Sequence, residues 1–244
     1  MDLISSTGIN SQELEGAIGA TMRSAGLPPL NAAQMAAAKA GAANFAISRD
    51  ILSRGQKHLN SRLSDLSVDL QRAIKEGKTS FIDIDYYIRK QVSAAGDAIQ
   101  PLLESSSERK VGTTNFDKNK FDCPVSVSAV RLAYALSIAL IAASAAKFSN
   151  TDVVTPASLL NGELVITRNG TEVITIPVAK AFNIGGAYAA VQNNFDVIRL
   201  DAPLFFKQDD SVGVSIRMPE GSTFPAGNHY VEARLIGTGI KVVS

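Results

Sequence analysis

Tryptophan is absent from this chain, and cysteine and histidine are nearly so. The 244 residues include no Trp, one Cys and two His. A single cysteine, Cys123, excludes an intramolecular disulfide and a metal site built from several thiolates. The lack of Trp weakens a sugar-binding role, because large aromatic side chains are the usual stacking platforms for sugar rings.

An excess of either charge is also missing. The chain has 24 Lys and Arg against 23 Asp and Glu, a formal net charge of +1. A protein that binds nucleic acid or a membrane mainly through charge carries a strongly basic patch or tail. The balance therefore argues against both. No basic residue precedes Arg23, so we expect synthesis in the cytoplasm without a signal peptide.

Long hydrophobic runs are missing too. The most apolar stretch, residues 132–146, includes two serines and is shorter than the roughly 20 residues that a membrane-spanning helix needs. It predicts a buried helix, or a strand followed by a helix.

The clearest local pattern is a β-hairpin at residues 163–178. Asn169-Gly170 favours a type I′ turn, because both central positions of that turn need a positive φ and the flanks are rich in β-branched residues. The turn predicts a register, and both faces of the ribbon then have apolar surface to bury. The predicted partners are Arg168 with Thr171, Ile166 with Val173, and Val165 with Ile174.

Residues 1–108 predict a helical assembly region. Alanine-rich segments follow Pro28-Pro29, apolar spacings of three and four continue to Ile74, and Gly77 is a helix C-cap. A further helix is predicted from Ser80 or Asp83 to Pro101. Residues 109–120 are polar and lack periodicity, so they are interpreted as a linker.

Residues 121–244 predict an antiparallel β-sandwich. Short strands separated by Gly, Pro and Asn, without long intervening helices, favour this class over a parallel sheet. The predicted strands cover 125–131, 195–206 with a proline-marked edge at Pro203, 212–218, 230–236 and 239–243. The fold class is therefore α+β, with a single jelly roll as the favoured sandwich.

Candidate catalytic and ligand-binding residues are few. His58 and His229 are predicted to be surface or interface residues, because no Cys or Glu lies at ligand spacing. Cys123 is interpreted as a small buried apolar residue. Gly185-Gly186 and Gly237-Thr238-Gly239 predict turns and a strand bulge, since no helix and lysine follow them as in a phosphate loop. A calcium site is the weaker alternative to turn chemistry for five residues: Asn193, Asn194, Asp196, Asp209 and Asp210. We predict no catalytic, cofactor or metal site.

Several segments resemble jelly-roll capsid proteins of tailless icosahedral bacteriophages. They are the entry loop TNFD at 114–117, the Asn-Gly hairpin, VIRLDAPLFF at 197–206 and HYVEARLIGTGIKVV at 229–243. The resemblance implies self-association into a shell, with contacts over sandwich edges and an N-terminal layer that binds neighbours, the genome or an internal membrane. About 125 residues after the linker suffice for one sandwich only, which departs from double jelly-roll capsid proteins.

The sequence thus leads to one main hypothesis and two alternatives. We expect a non-enzymatic virion coat subunit that binds copies of itself and other virion proteins. A β-sandwich spike, adhesin or receptor-binding head on a helical base is the alternative from the binding class. A hydrolase on a sandwich scaffold is the enzymatic alternative, and it lacks a recognisable nucleophile and base in the sequence.

Overall fold

The structure is a computed structural model that describes Gln34 and residues 54–93, 99–149, 155–182 and 197–243. Two antiparallel sheets make up most of it. Helical residues 54–61 precede α1 (Val68–Lys75), and a short α2 (Ala157–Leu160) precedes β4. The strands are β1 (Thr79–Val92), β2 (Ile99–Leu103), β3 (Val125–Ser137), β4 (Glu163–Arg168), β5 (Thr171–Pro177), β6 (Ile198–Phe206), β7 (Val212–Arg217) and β8 (Asn228–Val242).

Each sheet has four strands. The first sheet has the order β1-β8-β3-β6, and the second has the order β2-β7-β4-β5. All pairings between neighbours are antiparallel. The prediction of an antiparallel, sandwich-like arrangement is confirmed. The strands β1, β3, β5 and β7 finish at one end of the sandwich, called here the upper end, and β2, β4 and β6 finish at the other, called the lower end.

The main core lies between the inner faces of the two sheets. It follows from alternation along the strands, since successive side chains of a strand point to opposite faces. In β7, for example, Val212, Val214 and Ile216 are buried while the residues between them are half-buried. The largest fully buried core side chains come from both sheets and their connections: Tyr134, Phe116, Phe121, Phe206, Leu102, Leu132, Leu164, Ile166 and Ile216.

The prediction of helix is wrong for residues 79–92 and 99–103, because β1 and β2 occupy them. The sequence alternates with period two from Ile82 to Ile88, and Ile84, Tyr86 and Ile88 are buried while Asp83 and Asp85 are exposed. That period is typical of a strand. The helical prediction holds for 54–61 and α1, where Gly77 has a φ of +70° and follows the helix as expected. Residues 1–33, 35–53 and 94–98 lie outside the described residues.

The predicted linker at 109–120 packs on the first sheet. Thr113 O accepts from Arg89 N at 2.8 Å, and the Asn115 side chain accepts from Tyr87 N at 2.7 Å. Phe116 is fully buried in the main core. The sandwich therefore begins at β1, before this segment, and does not begin at residue 121.

The β4–β5 hairpin has the predicted turn and part of the predicted register. Asn169 and Gly170 have φ values of +52° and +79°, and Arg168 pairs with Thr171. A bulge at Val173 then shifts the pairing, so Ile166 pairs with Ile174 and Val165 pairs with Thr175. The two predicted pairings beyond the turn are wrong by one residue, because an unpaired residue in one strand displaces every later partner.

The sequence predicted strand interruptions at Pro203 and at Gly237-Thr238-Gly239, and the structure agrees with the first only. Pro203 lies in edge strand β6 beside an irregular pairing, as proline at a sheet edge predicts. By contrast, Gly237-Thr238-Gly239 continues β8 as one strand instead of separating two. A Cβ on Gly237 would lie 1.9 Å from Ser126 O. This glycine therefore permits the close approach of β8 to the bulged part of β3.

The apolar run 132–146 begins in β3, which ends at Ser137, and continues in irregular structure with a short 3-10 turn at Ala143–Ala145. The predicted helix is therefore absent from it. Among the described residues, no helix combines the length and hydropathy required to cross a bilayer.

Candidate functional site

The outer face of the first sheet is covered at both ends and carries a group of charged residues between the covers. Near the lower end, helical residues 54–75 pack on it through a separate apolar cluster. Near the upper end, residues 138–149, called here the crossing segment, run from β3 over Tyr230 toward β1, where Ser144 lies beside Gly112. The cluster under the helices consists of Leu59, Leu66, Leu70, Phe205 and Ile240.

Three arginines surround one buried carboxylate in the space between these covers. Glu232 is 2% exposed and accepts from Arg89 Nε at 2.6 Å and from Arg234 Nε at 2.9 Å. Arg131 Nη1 lies 3.8 Å away. These residues lie on β1, β8 and β3, so Glu232 connects three neighbouring strands. Charge-assisted hydrogen bonds of this kind are about twice as strong as neutral ones.

Arg234 and Arg89 determine the direction in which the pKa of the Glu232 carboxyl shifts. Burial alone would raise the pKa of Glu232, but hydrogen bonds and positive charge from Arg234 and Arg89 outweigh it and lower the pKa. The same pairing raises the pKa of Arg234 despite burial of that guanidinium. Glu232 is therefore ionised and fully engaged at neutral pH, and it is unsuited to act as a general base.

Aromatic rings flank the arginines. The Arg89 guanidinium lies 5.1 Å from the Tyr87 ring and 5.3 Å from the Phe148 ring, which comes from the crossing segment. Arg234 also donates to Asp85 Oδ2 at 2.8 Å. Counting three arginines against two carboxylates leaves one positive charge in the group. The arrangement stabilises the outer face and attaches the crossing segment to the sheet.

A groove of about 540 Å³ lies at the lower end, between residues 58–65 and the β4–β5 and β6–β7 turns. His58 Nδ1 lies 2.8 Å from Ser126 Oγ. Burial and the nearby Arg62 charge lower the pKa of His58. Ser126 is fully buried, so its hydroxyl is inaccessible to a substrate and the pair instead anchors the helical segment to β3. Polar residues that line the groove are His58, Arg62, Asp65, Arg168, Asn169, Lys207 and Asp210.

The structure separates the two histidines. His58 lies near the lower end, whereas His229 pairs with Val92 and Leu136 near the upper end. The surface or interface prediction is wrong for His229, which is 3% exposed. Its Nε2 lies 2.9 Å from Pro225 O and its Nδ1 lies 2.6 Å from Tyr134 Oη. Pro225 O can only accept, so in the neutral imidazole Nε2 carries the proton and Tyr134 donates to Nδ1.

The remaining candidate residues from the sequence that the structure describes lie in structural environments and not in a binding site. Cys123 is buried, as predicted, and burial raises its pKa. Asp210 accepts from Asn169 Nδ2 at 2.7 Å and Lys207 N at 2.8 Å, which is turn chemistry. Gly185, Gly186, Asn193, Asn194 and Asp196 lie outside the described residues. Within the ranges that the structure describes, no three His, Cys, Asp or Glu side chains meet as metal ligands.

The charged group on the outer face was not predicted from the sequence. Arg89, Arg131 and Glu232 come from strands far apart in the chain, and neither their spacing nor their residue types form a motif. The alternation of Val231, Ala233 and Leu235, which places Glu232 and Arg234 together on the opposite face, is the one available signal.

Comparisons with protein-family models, with curated proteins and with solved structures gave no match for this chain.

Proposed function

We propose that the sandwich is a single jelly roll and that the chain is a virion coat subunit that assembles with copies of itself. The strand order is the observation that carries this proposal. Eight strands form two sheets of order β1-β8-β3-β6 and β2-β7-β4-β5, and six of the seven connections pass from one sheet to the other. A jelly roll is an eight-stranded, two-sheet fold of two Greek keys and is common in viral capsids, in lectins and in cupins.

The surface favours assembly within that set of functions. A net charge of +1 lets many copies pack without strong mutual repulsion. Residues 111–243 also resemble phage capsid proteins in their entry loop, hairpin and last strands. On this proposal the chain acts on no substrate, and its partners are other copies and other virion proteins. The N-terminal region is the proposed contact to neighbouring copies, to the genome or to an internal membrane.

Particle size tests the proposal directly. The purified full chain is measured by multi-angle light scattering over a range of concentrations and is imaged by negative-stain electron microscopy. We expect large, closed and regular particles. A discrete monomer or trimer at every concentration would contradict the coat function and would favour the spike or receptor-binding head.

A further inference from the structure

We propose that residues 136–146 form the contact between copies and that these loops from neighbouring copies meet one another about a symmetry axis. The inference rests on the proposed self-assembly and names the surface that performs it. This stretch, called here the apolar loop, includes the last residues of β3 and most of the crossing segment. Three of its side chains are largely exposed: Leu136 at 50%, Ile138 at 96% and Leu140 at 73%.

Several backbone groups of the apolar loop are already hydrogen-bonded within the chain. Tyr230, whose side chain is otherwise buried, donates to Ile141 O at 2.8 Å and accepts from Ile141 N at 3.2 Å. Asn228 Nδ2 donates to Ile138 O at 3.2 Å, and Ser137 Oγ donates to Ala139 O at 2.7 Å. The carbonyls of residues 142 and 143 accept from residues 145 and 146.

These hydrogen bonds lower the free-energy cost of removing water from the apolar loop. A polar backbone group that enters an apolar contact without a partner costs several kcal/mol on apolar-transfer scales. In this loop the carbonyls of residues 137, 138, 139, 141, 142 and 143 all have partners inside the chain. An exposed loop with this much internal bonding is suited to a dry contact.

The absence of charge favours another copy of the same loop as the partner. Residues 132–146 contain no Asp, Glu, Lys or Arg. Identical surfaces that meet at a symmetry axis bring like charges together, and an uncharged loop avoids that repulsion. A bilayer surface is less well matched, because interfacial segments carry Lys or Arg on their polar face and residues 136–146 have none. Lys147 follows the loop, and the neighbouring Phe148 lies 5.3 Å from the Arg89 guanidinium.

In the part of the chain that the structure describes, the sheet edges are poorly suited to self-association. Residues 110–115 cover the middle of β1, and Arg54 Nη2 donates to Asp201 O on β6 at 2.8 Å. Pro101 and an irregular pairing interrupt β2, and the bulge at Val173 interrupts β5. Such features prevent strand-to-strand pairing between molecules. The expectation of contacts spread over the sandwich edges is therefore replaced in this proposal by contact through the apolar loop.

The first test introduces charge. We expect Ile138→Asp with Leu140→Asp to raise the concentration at which half of the protein is assembled by at least about 100-fold, because an unpaired carboxylate would be buried at the contact. Val68→Asp is the matched control, because Val68 is 71% exposed on α1 at the lower end. Circular dichroism verifies that both variants fold. Unchanged assembly of the folded double variant would overturn the proposal.

A second test locates the partner. The only native thiol, Cys123, is buried, so Ile138→Cys supplies an accessible one. Mild oxidation should join two copies through residue 138, since a disulfide requires Cα atoms about 4.4–6.8 Å apart. The control Val68→Cys should remain uncrosslinked. Equal crosslinking of both variants would contradict the proposed contact.

The outcomes separate this inference from the proposed function. Shells that survive the charged double variant would leave the coat function standing and reject the apolar loop. A wild-type dimer that the same variant dissociates would support the loop and reject the shell. Flotation with phosphatidylcholine–phosphatidylserine vesicles, abolished by the double variant while self-assembly is unchanged, would assign the loop to lipid and overturn the proposal.

Discussion

Glu232 illustrates how a single side chain can hold several strands of this fold together. Its carboxylate is buried, but its contribution to stability depends on arginine side chains that are still partly exposed to solvent, Arg89 by 22% and Arg234 by 24%. A buried ion pair often contributes little net stability compared with an apolar replacement. Removal of one partner alone is costly, because the opposite charges remain without compensation.

We therefore predict that Glu232→Gln lowers the free energy of unfolding by about 2–3 kcal/mol. The value is below the roughly 3–5 kcal/mol typical of fully buried pairs, because the two arginines can still reach water. Glu172→Gln is the matched control: Glu172 pairs with Arg217 on the exposed side of the second sheet, where solvent screens the pair, and its loss should change stability far less. Urea unfolding of both variants measures the difference, and equal losses would contradict this account.

The same carboxyl makes part of the stability dependent on pH. The pKa of Glu232 is lowered in the folded state, so its ionised form favours folding. That contribution is complete above the ordinary glutamate pKa near 4.5 and is lost as the pH falls through the lower folded value. We expect the thermal midpoint of the wild type to fall more steeply than that of Glu232→Gln below about pH 5. Parallel pH profiles for the two proteins would show that Glu232 makes no such contribution.

At the scale of the elements, glycines act in two distinct ways. Gly170 supplies a positive φ at a turn with open space around it, whereas Gly237 lets two strands approach closely. We predict that Gly237→Ala costs at least about 3 kcal/mol, since its Cβ would collide with Ser126 O. Gly170→Ala should cost only about 1–2 kcal/mol, the usual penalty for a left-handed conformation. Chemical unfolding ranks the two, and a reversed order would contradict the assigned roles.

The helical segment at residues 54–75 packs through a separate small apolar cluster, so we expect it to unfold locally while the sandwich stays folded. Leu59 is fully buried in that cluster. We expect Leu59→Ala to accelerate amide hydrogen exchange across 54–75, with a local loss of about 2–4 kcal/mol, while β3 and β8 keep their protection. Leu164→Ala, in the main core, is the contrasting variant and should reduce protection throughout. Uniform acceleration by Leu59→Ala would indicate one cooperative unit.

These elements also explain which predictions succeeded. The Asn-Gly turn and the alternation of β7 depend on neighbouring residues, so the sequence alone reveals them. The bulge at Val173 and the continuity of β8 through Gly237 depend on partner strands distant in the chain, and they were mispredicted. The strand β1 was predicted as part of a separate helix although Ile82, Ile84 and Ile88 alternate, because Ser80 and Asp83 are also suitable helix N-caps. The group around Glu232 needs three strands in register, which no local pattern encodes.

At the scale of the whole molecule, two modes of assembly between copies are compared: pairing of sheet edges, and contact through the apolar loop. In strand addition, the exposed edge of one sheet pairs with another molecule through backbone hydrogen bonds. In loop-mediated contact, side chains form the interface and the edge amides stay open to solvent. The bulge in β5 and the proline in β2 favour the second mode.

Hydrogen exchange on assembled and dissociated protein distinguishes the two modes. On assembly we expect backbone amides of residues 136–146 to gain protection of at least about tenfold, a population effect of roughly 1.4 kcal/mol. The edge residues Thr171–Pro177 should exchange equally in both states, because no strand is added beside them. Protection that appears at β5 instead of the apolar loop would mean that copies pair through their sheets. The bulge at Val173 would then have to be accommodated within an intermolecular sheet.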